Sequence, residues 1–363
     1  MARRAIVDAG WVALGLGLAF SAVAVALRGP GFDLDIYLRA ARAIVAGRSP
    51  YLAPGSPACD PLGCFVYAPP AALLFVPLLV LPRVAALTLV VVALAAVAAV
   101  FVAALVGPLP RAARPWAATA AVLFFPLVLE VSVANLTLLT AALALAAWSR
   151  RDDARRCGLL LAAAIGLKLL VAPLVVFYLA AGRWRAVAWA AAVLAVGAVA
   201  TAPLVGAYWG DAVGAAAHRI AVGGGGSIRP PALAAGLGLW ATVLLAIVAE
   251  IATGVAVRRA SGLANELHAV GLAAVPLVAA SLDYTYLVLV MPLLVATTAA
   301  FASSPLLLAL PLGSWAAMEV RGEMWLCFGG YVVAVASGVS IYVRGLSGDD
   351  RGRSHRRGSS VPS

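Results

Sequence analysis

Val84-Ala-Ala-Leu-Thr-Leu-Val-Val-Val-Ala-Leu-Ala-Ala-Val-Ala-Ala-Val-Phe-Val-Ala-Ala-Leu-Val-Gly107 contains no charged residue, and its one polar side chain is Thr88. As an α-helix, a run of this length reaches about 36 Å, enough to cross a hydrocarbon core of about 30 Å. Comparable apolar runs follow one another along the chain, at residues 10–27, 68–82, 116–129, 134–149, 158–181, 186–204, 237–256, 265–281, 285–300, 303–319 and 325–344. Their repetition predicts an all-α fold: a polytopic transmembrane helical bundle of about 11–13 membrane segments. Residues 1–344 form one such domain, and the polar, arginine-rich stretch 345–363 is expected to be a disordered cytoplasmic tail.

Composition points the same way. Of 363 residues, 64% are hydrophobic and only 11% charged, whereas a soluble domain carries about 25% charged residues. The net charge of +11 invites comparison with nucleic-acid-binding proteins. The arginines, however, lie in short clusters between apolar runs, the positive-inside pattern of a membrane protein, so no nucleic-acid partner is expected.

Arginine also orients the chain. Arg3 and Arg4, the cluster from Arg150 to Arg156, Arg183 with Arg185, Arg258 with Arg259, and Arg351 to Arg357 belong on the cytoplasmic side. Both termini are then cytoplasmic in a multi-pass cell-membrane protein, with the N-terminal apolar stretch acting as an uncleaved anchor. The first loop, 28–67, the long loop 205–236 and the turn Ser281 to Tyr286 face outward. Holding Arg156 and Arg183 on one side requires segment 158–181 to enter and return, with a break near Lys168 and Pro173. The segments between 68 and 149 must likewise cross an odd number of times, so that 116–129 is short, re-entrant or fused. Irregular backbone at membrane depth persists only where it lines a protein cavity, so these breaks mark an internal site.

Several residues could carry chemistry. In the first loop, Ala40 to Ala46 is expected to form a short amphipathic helix at the membrane surface. Asp33 and Asp35 precede it, either as solvated charge or with one carboxylate serving as general base on a hydroxyl. Cys59 and Cys64 form a disulfide if the loop faces an oxidising space, and are otherwise two free thiols. Tyr67 marks the next membrane boundary, a usual place for an interfacial anchor. Glu130 and Asn135 flank the break between two short apolar segments. Asn135-Leu-Thr137 matches a glycosylation sequon in a membrane setting unsuited to glycosylation.

Lys168 is the single lysine of the chain, and it lies inside an apolar run. An ionisable residue there is costly and marks function by default. It could hold a phosphate as a point charge, snorkel to the interface, or pair with Glu130. In the second outer loop, His218, Arg219 and Arg229 bring cations beside the flexible run Gly223 to Gly226, which could cradle a phosphate, act as a lid, or simply link two segments. Tyr284 and Tyr286 sit at a turn, as a site wall or as an aromatic belt.

Taken together, these stretches resemble the polytopic glycosyltransferases of the GT-C type, and most closely glycosyltransferase family 87, the polyprenyl-phosphate-mannose-dependent mannosyltransferases. The first-loop pattern of that family is met by Gly31, Asp33-Leu34, Ile36-Tyr37, Ala40-Ala41, Gly47 and Tyr51. Its Tyr-x-Pro-Pro element is met by Tyr67 to Pro70, its Gly-Gln-x-Asn element by Asn135 alone, and its lysine and proline by Lys168 and Pro173. A late histidine-containing element is reduced to Asp283 to Tyr286.

The resemblance implies transfer of a hexose, mannose by family expectation, from a polyprenyl-phosphate sugar to a lipid or glycan hydroxyl on the non-cytoplasmic face, with inversion. It implies Asp33 as base, because Asp33 holds the family register, and Asp35 as a residue orienting the acceptor. Lys168, His218, Arg219 and Arg229 would meet the donor phosphate, and Tyr37, Tyr67, Asn135, Tyr284 and Tyr286 would line the substrate site. The donor is a lipid-linked substrate, so no separate cofactor is implied and no metal site is visible. A transporter with broken helices and a non-catalytic membrane scaffold are the competing classes.

Overall fold

The structure is a computed structural model, and it describes residues 2–27, 31–51, 65–222 and 239–259 together with Ala273, Leu289, Met291 and Pro292. Among the described residues there is no strand. The elements in chain order are α1 (Ala2–Leu27), α2 (Phe32–Val45), α3 (Pro69–Leu73), a 3-10 turn (Val76–Val80), α4 (Arg83–Val106), α5 (Arg114–Val122), α6 (Phe125–Val133) and α7 (Thr137–Ser149). Then come α8 (Ala154–Leu167), a 3-10 turn (Leu169–Val171), α9 (Leu174–Ala180), α10 (Trp184–Val205), a 3-10 turn (Gly206–Tyr208), α11 (Trp209–Val222) and α12 (Leu239–Arg259).

Local sequence explains the punctuation. Proline occupies the first turn of α3, α5 and α6, where its missing N–H has no partner to lose. Asp153 caps α8, its carboxylate accepting from Arg156 N at 3.0 Å. Between α5 and α6 the axis turns by 51°, inside the segment 116–129 expected to be short, re-entrant or fused. Segment 158–181 is broken where expected. Helix α8 stops at Lys168, whose backbone is extended (φ −145°, ψ 107°), and α9 restarts after Pro173.

Among the described residues, three helices are long and apolar enough to cross a membrane: Val7–Leu27, Arg83–Val106 and Trp184–Ala215; the bent pair α5–α6 makes a fourth if counted as one span. The chain is therefore a multi-pass, all-α membrane protein. Other segments in the expected series fold as short helices, such as α3, α7, α8 and α9. Their apolar runs are cut by proline, by Arg150 to Arg156 or by Lys168, which caps the length each helix can reach. The segments expected from 265 to 344 lie outside the described residues, apart from Ala273, Leu289, Met291 and Pro292.

The long helices and the short ones occupy different places. Helices α1, α4 and α10 present exposed Leu16, Phe20, Val92, Val100, Val196 and Val199, side chains suited to lipid. Helices α5, α6 and α7 are buried along most of their length. Helix α8 packs between α7 and α10, and α1 packs on α5. The α8–α10 approach is close enough that a Cβ on Gly158 would fall 2.4 Å from Trp189 Cβ and 2.6 Å from the Ala186 carbonyl oxygen.

Two expectations for the outer loops change. The surface helix begins at Phe32 instead of Ala40, and it buries Leu34, Ile36, Tyr37, Leu38, Ala40, Ala41 and Ile44. With apolar side chains on most of its circumference, it docks into the bundle instead of floating on the surface. The stretch 205–236 begins as helix: 3-10 turn and α11 run to Val222, because no proline and only isolated glycines occur between Gly206 and the glycine run at 223.

Candidate active site at the helix breaks

The site is assembled where α2 meets the α6–α7 break. Gly31 turns the chain with φ 100°, a left-handed conformation natural to glycine. Its N–H donates to the Ser132 carbonyl at 2.8 Å. That single backbone bond lays the first turn of α2 against the end of α6. Asp33, two residues on, then reaches the break.

The break has its own logic. Ala134 takes a left-handed φ of 61°, and Asn135 N donates to the Glu130 carbonyl at 2.9 Å, closing the C-terminus of α6. The N-terminus of α7 needs acceptors for its orphan amides. Glu130 Oε2 accepts from Leu138 N at 2.8 Å, and Asn135 Oδ1 accepts from Thr137 N at 2.8 Å. A carboxylate at a helix N-terminus is also favoured by the helix dipole.

Five residues singled out by sequence converge here. Asn135 Nδ2 donates to Asp33 Oδ2 at 2.5 Å. Asn135 Oδ1 also accepts from Thr137 Oγ1 at 2.7 Å and from the Tyr67 hydroxyl at 3.4 Å. The hydroxyls of Tyr37 and Tyr67 are 2.7 Å apart, and Leu136 N donates to the Tyr37 oxygen at 3.3 Å. Lys168 Nζ donates to Thr137 Oγ1 at 2.5 Å and stands 5.1 Å from the centre of the Tyr67 ring, within range of a cation–π contact.

Burial sharpens the chemistry. Lys168 is 4% exposed and Asn135 5%, while Asp33 is only half-buried. A buried ammonium left without partners would be destabilising by several kcal/mol; here a hydroxyl and an aromatic face receive it. Burial pushes the Tyr37 hydroxyl well above its ordinary range, and the nearby Asp33 carboxylate pushes the same way. Tyr37 therefore stays a neutral hydrogen-bonding group. Rings from Tyr51, Phe65, Tyr67, Tyr37 and Phe75 pack as a wall with centroids 4.5 to 5.5 Å apart, and Tyr51 donates to the Tyr67 carbonyl.

Other expected residues stand elsewhere. Asp35 faces Arg83 on α4, which donates to both of its oxygens at 2.9 and 2.7 Å near the surface. Successive positions two apart on a helix point to nearly opposite sides, so Asp33 and Asp35 cannot both join the cluster. The backbone of His218 and Arg219 belongs to the last turns of α11, and their side chains lie outside the described residues. Cys59, Cys64, Arg229, Tyr284 and Tyr286 also lie outside them. Asn135, buried with its amide nitrogen on Asp33, is not presented as a glycan acceptor. Among the described residues no three His, Cys, Asp or Glu side chains gather as a metal-binding group.

Sequence reasoning missed Thr137, noticed only as the third residue of the sequon. Its hydroxyl is the link between Lys168 and Asn135. The hint was a threonine just past the break, at the start of a helix that buries it completely. Ser49 was missed too; its hydroxyl donates to Asp211 on α11 at 2.6 Å, tying the first loop to that helix.

The family model of glycosyltransferase family 87 matches residues 65–305, about two thirds of the chain. The chain belongs to glycosyltransferase family 87. Comparison with curated proteins and with solved structures returns no match. The family 87 match makes this protein a glycosyltransferase, and the matched range includes Tyr67, Glu130, Asn135, Thr137 and Lys168. Asp33 and Tyr37 precede that range and are joined to the family 87 region by the contacts to Asn135, Tyr67 and Leu136.

Proposed function

We propose that this glycosyltransferase moves a hexose, mannose in the first instance, from a polyprenyl-phosphate donor to a hydroxyl of a lipid or glycan acceptor at the non-cytoplasmic face of the cell membrane. The observation that carries the proposal is the single hydrogen-bonded cluster that contains both Asp33 and Lys168. A half-buried carboxylate and a buried ammonium, a few side chains apart, are what a displacement at an anomeric carbon needs.

In this reaction the acceptor hydroxyl gives its proton to Asp33 as its oxygen bonds to the anomeric carbon. The bond from that carbon to the phosphate oxygen breaks in the same step, and the configuration inverts. Negative charge grows on the departing lipid phosphate. Lys168 meets that charge in a site shielded from water, where a fixed cation counts for far more than it does in solution. His218, Arg219 and Arg229 are further candidates for the phosphate, and Tyr37, Tyr67, Tyr284 and Tyr286 for the sugar and acceptor.

The test is sugar transfer by membranes containing the full chain, supplied with labelled polyprenyl-phosphate mannose and a native lipid extract. An Asp33→Asn variant of equal expression runs beside it. Transfer that vanishes in the variant supports Asp33 as base. Transfer that persists moves the base elsewhere, and no transfer from any lipid-linked sugar removes the proposal and turns attention to transport.

A further inference from the structure

We infer that Thr137 is a positioning residue of the transfer reaction, the middle of a one-directional hydrogen-bond chain that runs from Lys168 through Asn135 to Asp33. The inference rests on the roles proposed above for Lys168 and Asp33.

The direction of every bond is dictated by the donors. An ammonium has three protons and no acceptor site. Thr137 Oγ1, 2.5 Å from Lys168 Nζ, therefore accepts there, and its single proton must go elsewhere. Asn135 Oδ1, 2.7 Å away, takes it. The same oxygen accepts the Thr137 backbone N–H at 2.8 Å. A flipped amide would place its NH2 against a backbone N–H, donor against donor, so the amide has one allowed orientation. That orientation aims Nδ2 at Asp33 Oδ2, 2.5 Å away.

Without the Thr137 hydroxyl the amide keeps only the backbone N–H and the distant Tyr67 hydroxyl as donors to its oxygen. Three of the four members, Asn135, Thr137 and Lys168, are buried, and bonds in such a chain polarise one another more strongly than they would in water. Thr137 holds one Lys168 proton, and the same ammonium is the group proposed above to meet the donor phosphate. Occupation of the phosphate position and alignment of the base are thereby coupled through a single hydroxyl. Tyr37, one turn along α2, also bears on Asp33, and Arg83 of α4 is paired with Asp35.

The test compares Thr137→Val, which keeps the shape and removes the hydroxyl, with Thr137→Ser, which keeps the hydroxyl. Full-length protein in lipid nanodiscs is given polyprenyl-phosphate mannose and a lipid acceptor. The expected result is a kcat lowered at least about 30-fold in Thr137→Val, with donor KM changed much less, and recovery to within about threefold in Thr137→Ser. A Thr137→Val enzyme within about twofold of the parent, or a Thr137→Ser enzyme equally impaired, overturns the inference.

A second readout does not require activity. Carbodiimide reacts with the protonated carboxyl, and the Asn135 bond favours the ionised one. Labelling of Asp33 at one fixed pH, read by mass spectrometry, is expected to speed up in Thr137→Val and not in Thr137→Ser. If the parent transfers no sugar, the proposed function fails and labelling alone decides. Equal rates in parent and Thr137→Val overturn the chain, and a faster rate in Thr137→Val sustains it.

Discussion

Asn135 Nδ2 lies 2.5 Å from Asp33 Oδ2, although 102 positions separate the two residues in the chain. One belongs to a helix break inside the bundle, the other to the first turn of the docked outer helix. Asp33 thus takes its place from the interior of the protein, not from its own loop. In Asn135→Ala the carboxylate loses that partner, and transfer is expected to fall about 10- to 100-fold. Asn135→Asp should be worse at neutral pH, because two carboxylates would then face each other. Initial rates on matched protein decide it, and an Asn135→Asp enzyme faster than Asn135→Ala would contradict the contact.

The pairing of Asp35 with Arg83 separates the two acids of the first loop. Asp35→Asn is expected to keep at least about a tenth of the parent rate, while Asp33→Asn loses about 1000-fold or more. Side-by-side rates with a common donor measure this difference. Equal losses would show that the surface ion pair matters to the chemistry.

Lys168→Met places an apolar chain of similar length in a buried slot. Folding is checked first, because removing one member of a buried polar group can be destabilising, and in folded protein kcat should fall at least about 100-fold. Size-exclusion profiles report the first and initial rates the second. A well-folded Lys168→Met enzyme with parental kcat would remove Lys168 from the reaction.

Gly158 is a packing residue far from the chemistry. A Cβ there meets Trp189 and the Ala186 carbonyl well inside contact distance. Gly158→Ala should cost about 1–3 kcal/mol of stability through overpacking, and Gly158→Val more. Thermal unfolding in detergent reads the order, and an unchanged Tm for Gly158→Val would mean that α8 and α10 can separate freely.

Much of this architecture could be read from residue order. Arginine clusters on both sides of segment 158–181 called for a break, and Lys168 with Pro173 located it; the same count marked 116–129, where α5 bends into α6, as short, re-entrant or fused. Asp33, Tyr37, Tyr67, Asn135 and Lys168 could each be chosen by type and setting. Their mutual contacts could not, because they depend on how Gly31 docks onto Ser132, a backbone bond that no side-chain pattern announces. Thr137 escaped for a related reason. A hydroxyl in an apolar helix usually bonds back to its own backbone, as Thr140 does to Leu136, and only the local geometry reveals one at the helix start that accepts from a lysine. Asp35 was equally ambiguous, since its partner Arg83 is 48 positions away.

The division between long outer helices and short inner ones has a consequence for the surrounding bilayer. Cells vary the thickness of their membranes, and helices that meet lipid answer such mismatch by tilting. Here α1, α4 and α10 expose apolar side chains suited to lipid, while the residues around Asn135 and Lys168 sit on short segments pinned to one another. A thicker or thinner bilayer would be absorbed by the tilt of the outer helices, and the spacing between base and cation would be preserved.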